Sequence, residues 1–186
     1  MSVSRLVGLA VASLVVSAIC LPVQAAETVV KVASTAMPWD LKKNDQLPFG
    51  KGDGTAPTVA DLVLTPGLVL RMTATGSTTT VAGGGAFDPD GQADYICDDK
   101  VGGSGSIFPS KFINPAFYPV RLNELVAVFT DAGGRVVKSP FPIGKHMVIT
   151  VPQGAVHIQF GINDDVFADN TGEIDVTIVT PDTPKP

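Results

Sequence analysis

The chain has 186 residues, with 13 Lys+Arg against 18 Asp+Glu and a net charge of −5 at neutral pH. Nowhere do its basic residues form a run able to neutralise phosphates, which argues against nucleic acid as a partner. Its 19 Gly and 15 Pro, and the lack of a long amphipathic helical pattern, argue against a helical fold.

Met1 to Ser4 is short and polar, Arg5 adds one positive charge, and Leu6 to Leu21 is almost wholly apolar. Val23 and Ala25 then supply small residues at the two positions a signal peptidase reads. This order predicts a secretory signal over residues 1–25 and a mature protein that is secreted or periplasmic. The apolar run of about 16 residues falls short of the roughly 20 that a membrane span needs. Ile19 is too bulky to stand before a lipidated Cys20.

Arg5 is the one basic residue of this leader, so the remaining chain of about 160 residues carries 12 basic and 18 acidic groups. That length suffices for one domain, predicted over 26–180, with a core that needs no disulfide. Only Cys97 would remain, and its apolar neighbour Ile96 predicts burial rather than pairing between chains.

Along the mature chain, short runs alternate at period two, the pattern of half-buried strands. Val30 and Val32 begin the series. Leu68, Leu70, Met72 and Ala74 form one face, and Leu125, Ala127 and Phe129 another. Met147, Ile149 and Val151, then Val156, Ile158 and Phe160, then Ile174, Val176 and Ile178 complete it. Turns at Thr65-Pro66-Gly67, Asp131-Ala132-Gly133-Gly134 and Val151-Pro152-Gln153-Gly154 punctuate these runs. The last two bracket residues 144–151 and predict neighbouring antiparallel strands there. The predicted architecture is all-β, a two-sheet β-sandwich or jelly roll. Two stretches break the pattern, 37–57 and 77–119, and loops of that length are usually functional or disordered. Residues 181–186 read as a disordered tail.

Acidity gathers at 88–99 and 164–169. The second lies between strands predicted at 155–162 and 173–180, where a simple hairpin would need only two to five residues. This link is longer and carries Asp164, Asp165, Asp169 and Asn170, all oxygen donors. Calcium takes six to eight oxygens from carboxylates, amides and backbone carbonyls. A solvated turn with Asx caps is the competing reading, and composition alone leaves the two even. Alternation turns the Asp165 side chain away from that of Asp164. A further cation at Asp88, Asp90 and Asp94 is the weaker of two readings of the first cluster, a plain turn being the other. Its spacing is not that of an EF-hand.

The stretch from Val151 through Asn163-Asp164-Asp165-Val166-Phe167-Ala168-Asp169-Asn170-Thr171-Gly172 to Ile178 resembles the last two strands of the calcium-dependent galactophilic lectins of bacteria, the PA-IL type. Thr65 to Gly76 and Phe141 to Gly144 resemble the family more faintly, and 37–57 and the middle of the chain match it poorly. The resemblance implies a sandwich of galactose-binding-domain type, a bound calcium ion, and a sugar whose hydroxyls complete its shell. By that resemblance Asp164, Asp169 and Asn170 would ligate calcium through side chains, and Val166 through its carbonyl. An early-loop carbonyl between residues 76 and 90 would join them. Asp164 and Asp169 would also accept from sugar hydroxyls, with Gln92 as the one middle-loop candidate for a sugar contact.

Enzyme readings fare poorly. His146 and His157 fall on predicted strands, Gly102-Gly103-Ser104-Gly105-Ser106 lacks the last glycine of a nucleophile elbow, and Lys51-Gly52-Asp53-Gly54-Thr55 lacks phosphate-loop spacing. Trp39, Tyr95 and Tyr118 read as packing residues before sugar platforms. The sequence therefore predicts a secreted, non-catalytic, calcium-dependent carbohydrate-binding protein, with homo-oligomerisation open. The alternative is a secreted adhesion or assembly module whose calcium is structural.

Overall fold

A computed structural model describes residues 25–181. The leader predicted over 1–25 (Ala25 apart) and the tail beyond Pro181 lie outside the described residues. Nine strands follow in order: β1 (Ala26–Ala33), β2 (Thr58–Val59), β3 (Val69–Thr79), β4 (Ala86–Phe87), β5 (Leu125–Thr130), β6 (Phe141–Pro142), β7 (His146–Thr150), β8 (His157–Ile162) and β9 (Thr171–Thr180). Two short 3-10 turns, Pro109–Phe112 and Pro115–Phe117, are the helical elements among the described residues.

The strands make two antiparallel sheets. In the first, β9 lies between β1 and β3, and the far edge of β3 is shared by β7 and β4. β7 runs along Val69–Thr73, and β4 meets Thr78 and Thr79. The second sheet has the order β2-β8-β5-β6. One apolar core joins them, with Val30, Val32, Leu70, Met72, Ala74, Ile174, Val176 and Ile178 facing Leu125, Ala127, Phe129, Ile158, Phe160 and Ile162. Alternation is clean in β3, where Leu70, Met72 and Ala74 are buried while Arg71, Thr73 and Thr75 are exposed. The outer face of this sheet is open to solvent, as antiparallel sheets allow.

The second sheet departs from expectation. Every residue of β5 is buried, and so are all of β8 except half-buried His157. Its outer face is covered by the two stretches that lack strand pattern. Val128 packs with Trp39, Phe49 and Phe167, and Val126 packs with Ile113 and Val120. Trp39 is fully buried, meets Phe49 edge-on with ring centroids 4.6 Å apart, and donates its indole N–H to the Leu47 carbonyl at 2.9 Å. It is a core residue, so the packing reading holds and stacking on a sugar does not. Asn44 fixes the same segment. Its Oδ1 accepts from Val136 N at 2.8 Å, and its amide donates to the carbonyls of Asp40 and Gly134. A Cβ on Gly161 would lie 2.5 Å from Pro38 Cα, so the glycine lets the chain at 37–38 cross directly over β8.

Connectivity also corrects the strand pairing predicted around residues 144–151. The turn at 131–134 does reverse the chain, but onto Val136 and then β6. The chain then turns at Gly144, with φ +52°, and enters β7 in the opposite sheet. β5 instead pairs with β8. Val156, expected on the inward face with Ile158, lies before β8 and is exposed.

Candidate functional site

Residues 163–170 carry the chain from β8 in one sheet to β9 in the other, across one end of the sandwich. Asn163 anchors the crossing. Its Oδ1 accepts from Ser110 N at 2.9 Å, its Nδ2 donates to the Arg121 carbonyl at 2.8 Å, and its backbone pairs with Glu124 and Asn123. With its polar atoms satisfied and no exposed surface, it acts as a clamp.

Asp164 follows and is 3% exposed. Its Oδ1 accepts from the backbone N–H of Asp165 at 2.7 Å and of Val166 at 3.3 Å, and its Oδ2 accepts from Asn170 Nδ2 at 3.0 Å. None of the ion pairs among the described residues involves it. Burial pushes its carboxyl up to about 7 against the pull of those three donors, and the charge of Asp165 pushes the same way.

Asn170 is buried beside it. Its Nδ2 donates both to Asp164 Oδ2 and to the Ser34 carbonyl at 3.2 Å. Both partners are acceptors, which fixes the amide orientation and leaves Asn170 Oδ1 buried without a donor. Leaving such an oxygen unmatched costs about 1–3 kcal/mol, so it is open to a donor or a cation. Val166 is half-buried, and its carbonyl accepts no hydrogen bond among the described residues. Asp169 is exposed, and its carboxylate makes no hydrogen bond among them. The structure thus brings Asp164, Asn170 and the backbone of Val166 together, and leaves Asp169 on the rim.

Two further residues complete this end of the fold. Asp165 turns away from Asp164, as alternation predicts, and its carboxylate accepts from Ser104 N and Ser104 Oγ. Its backbone carbonyl accepts from Lys51 N at 3.0 Å, so one residue ties 163–170 to both irregular stretches. The β3–β9 register sets Thr78 opposite Gly172 and Thr79 opposite Thr171. Gly172 has φ +102°, and a Cβ there would collide with the Ser77 carbonyl. Of the interval 76–90, it is the end of β3 that the register brings beside Asn170.

Gln92 reaches the same end by way of the backbone. Its N–H donates to the Leu122 carbonyl at 2.8 Å, and the next residue, Asn123, donates to the Asn163 carbonyl at 2.8 Å. Beside Gln92 lies a polar cavity of about 230 Å³, lined by Asp88, Asp90, Gly91, Ala93, Arg121 and Lys145. Lys145 Nζ bridges Asp88 at 2.7 Å and Asp90 at 3.1 Å and holds the Asp88 carboxyl below its ordinary value. That ammonium supplies the positive charge for which a second cation was considered, and it corrects that reading.

Among the described residues, no three His, Cys, Asp or Glu side chains gather in a way that could hold a metal ion. A cation at this end would therefore depend on amide and carbonyl oxygens beside Asp164, a donor set that suits hard cations and not zinc. Asn123, Glu124 and the Asp165–Ser104 tie escape the sequence reading, since nothing in Leu122-Asn123-Glu124 marks two buried polar residues before an apolar strand. A larger cavity of about 440 Å³ lies elsewhere, on 59–64 with Val156 and His157. It is open, mainly apolar and away from the acidic loop.

The chain is thus an all-β sandwich with a buried carboxylate–amide pair at one end. No family model and no curated protein matches its sequence. Among eight solved chains that match, one titled "EclA N-terminal domain; PllA-like lectin" has 15% identity and a TM-score of 0.45. The alignment covers 82% of this chain and 95% of that one. At that distance it transfers no residue role.

Proposed function

We propose that this protein is a secreted, non-catalytic carbohydrate-binding protein whose binding end is organised by calcium. The observation that carries the reading is the Asp164–Asn170 pair. A buried carboxylate without a basic partner adjoins a buried amide oxygen without a donor. Asp164 and Asn170 would hold the ion through side-chain oxygens, Val166 through its free carbonyl, and Asp169 from the rim. When bound, calcium supplies positive charge and exchangeable positions that hydroxyl pairs of a sugar can occupy.

The surroundings support a polar, hydroxyl-rich ligand. Asp169 is open to solvent, and Gln92 flanks a cavity whose carboxylates and cations can accept from and donate to hydroxyls. Monosaccharide affinity should be modest, because such a ligand exchanges water hydrogen bonds for protein ones at small net gain. Several sites on one assembly would then raise avidity.

Glycan-array binding with calcium and with chelator tests the reading. Binding abolished by the chelator and by Asp164→Ala is expected. Calcium uptake with no glycan bound, even at millimolar monosaccharide, would transfer the site to an adhesion or assembly module. Release of free sugar from a glycan would contradict the non-catalytic assignment.

A further inference from the structure

We infer that Asn123 supplies a further oxygen to the cation at this site, a role that rests on the calcium reading above. Asn123 has no exposed surface, and it adopts φ +65°, a left-handed conformation uncommon outside glycine. Its Nδ2 donates to Thr78 Oγ1 at 2.5 Å, and its Oδ1 is buried with no donor. With the NH2 placed on Thr78, it is the oxygen of this amide that is left unmatched.

Position makes the unmatched oxygen informative. Asn123 N donates to the carbonyl of Asn163, the residue before Asp164. Thr78, which receives its side chain, is opposite Gly172, two residues after Asn170. Asn123 is therefore pinned on both sides to neighbours of the proposed ligands. Asn123 and Asn170 each leave a buried amide oxygen unmatched; Asn170 bonds Asp164 directly, and Asn123 bonds the backbone of the residue before it. Buried amide oxygens ordinarily have a partner, whether protein, water or ion. A hard cation at this end of the sandwich can satisfy both.

Calcium titration of the wild type, Asn123→Gly and Asn123→Asp tests this. Glycine suits the positive φ, so the first variant removes the side chain without backbone strain. Asn123→Gly should bind calcium about tenfold more weakly or worse. Asn123→Asp, which restores an oxygen and adds charge, should bind at least as tightly as the wild type. If Asn123 serves only to brace Thr78, both variants will melt lower in chelator while their calcium affinity stays within about twofold of the wild type, and that result overturns the inference. Should Asn123→Gly fail to fold, Asn123→Asp decides: affinity at or above wild type supports the role, and clear weakening overturns it. A wild type that takes up no calcium removes the parent reading and this one together, whereas binding indifferent to Asn123 removes this one alone.

Discussion

Asn170 gives one amide group to two oxygens at once, Asp164 Oδ2 at 3.0 Å and the Ser34 carbonyl at 3.2 Å. That contact ties the crossing loop to the residue that follows β1, and it turns the other end of the amide into an unmatched buried oxygen. Asn170→Ala should therefore cost about 1–3 kcal/mol in chelator, the usual price of stranding buried polar groups. Asn170→Asp sets two carboxylates against each other in the absence of a cation. It should melt lower than the wild type in chelator and recover more on adding calcium, as scanning calorimetry would show.

Gly161 is the position where the 37–57 stretch touches the sheet. A methyl group there would meet the backbone of Met37 and Pro38, which cannot yield like a flexible side chain. Gly161→Ala should lower stability by about 2 kcal/mol or more, the range for overpacking against a rigid neighbour. Urea unfolding would measure it. A midpoint equal to wild type would show that the stretch is not held where the structure places it.

The Asp165–Ser104 tie holds the Gly-rich turn at 102–106 against the crossing loop. Ser104→Ala removes the hydroxyl donor and keeps the backbone one. Hydrogen exchange at 102–106 should speed up, with little change in β5 or β8. The calcium response should persist, because the Asp165 side chain points away from Asp164.

Glu124 gives the pH dependence its sign. It is 6% exposed, and burial pushes its carboxyl from an ordinary 4.5 up to about 7. The charges of Asp90 and Asp98 push the same way, and Arg121 opposes them through its backbone N–H and its charge. The folded state thus holds this proton more tightly than the unfolded chain. Its contribution is full below about 4.5 and is lost as pH rises through about 7. Asp164 follows the same course while no cation is present. In chelator, the melting temperature should fall between pH 5 and pH 8, and Glu124→Gln should flatten the slope. A melting temperature that rises across this interval would contradict the burial of both acids.

Most of the core was legible because β1, β3 and β9 each show one face to solvent, so their apolar residues alternate in the sequence. β5 and β8 are covered on both sides, and there alternation misleads. Val126 and Val128 look outward by pattern, yet they are buried under residues contributed by the irregular stretches. Periodicity also says nothing about which sheet a strand joins, which is why β7 was expected beside β5. Asp164 and Asn170 were visible as oxygen donors in a link too long for a hairpin. Asn123 was not, since its role depends on contacts to Thr78 and Asn163, which are distant in sequence. Cys97 is buried as its apolar neighbour suggested. Burial, with the charges of Asp164 and Asp165, raises its thiol well above the usual range, so thiol reagents should leave the folded protein unmodified.

Thermal melting of the chain from residue 26, with calcium and with chelator, tests most directly whether a cation completes the Asp164–Asn170 end of the sandwich. A ligand confined to the folded state adds about 2.7 kcal/mol at 100 times its dissociation constant. The melting temperature should rise with calcium, fall with chelator, and lose most of that response in Asp164→Ala. A wild-type curve indifferent to both calcium and chelator would contradict the account and the sugar-binding reading built on it.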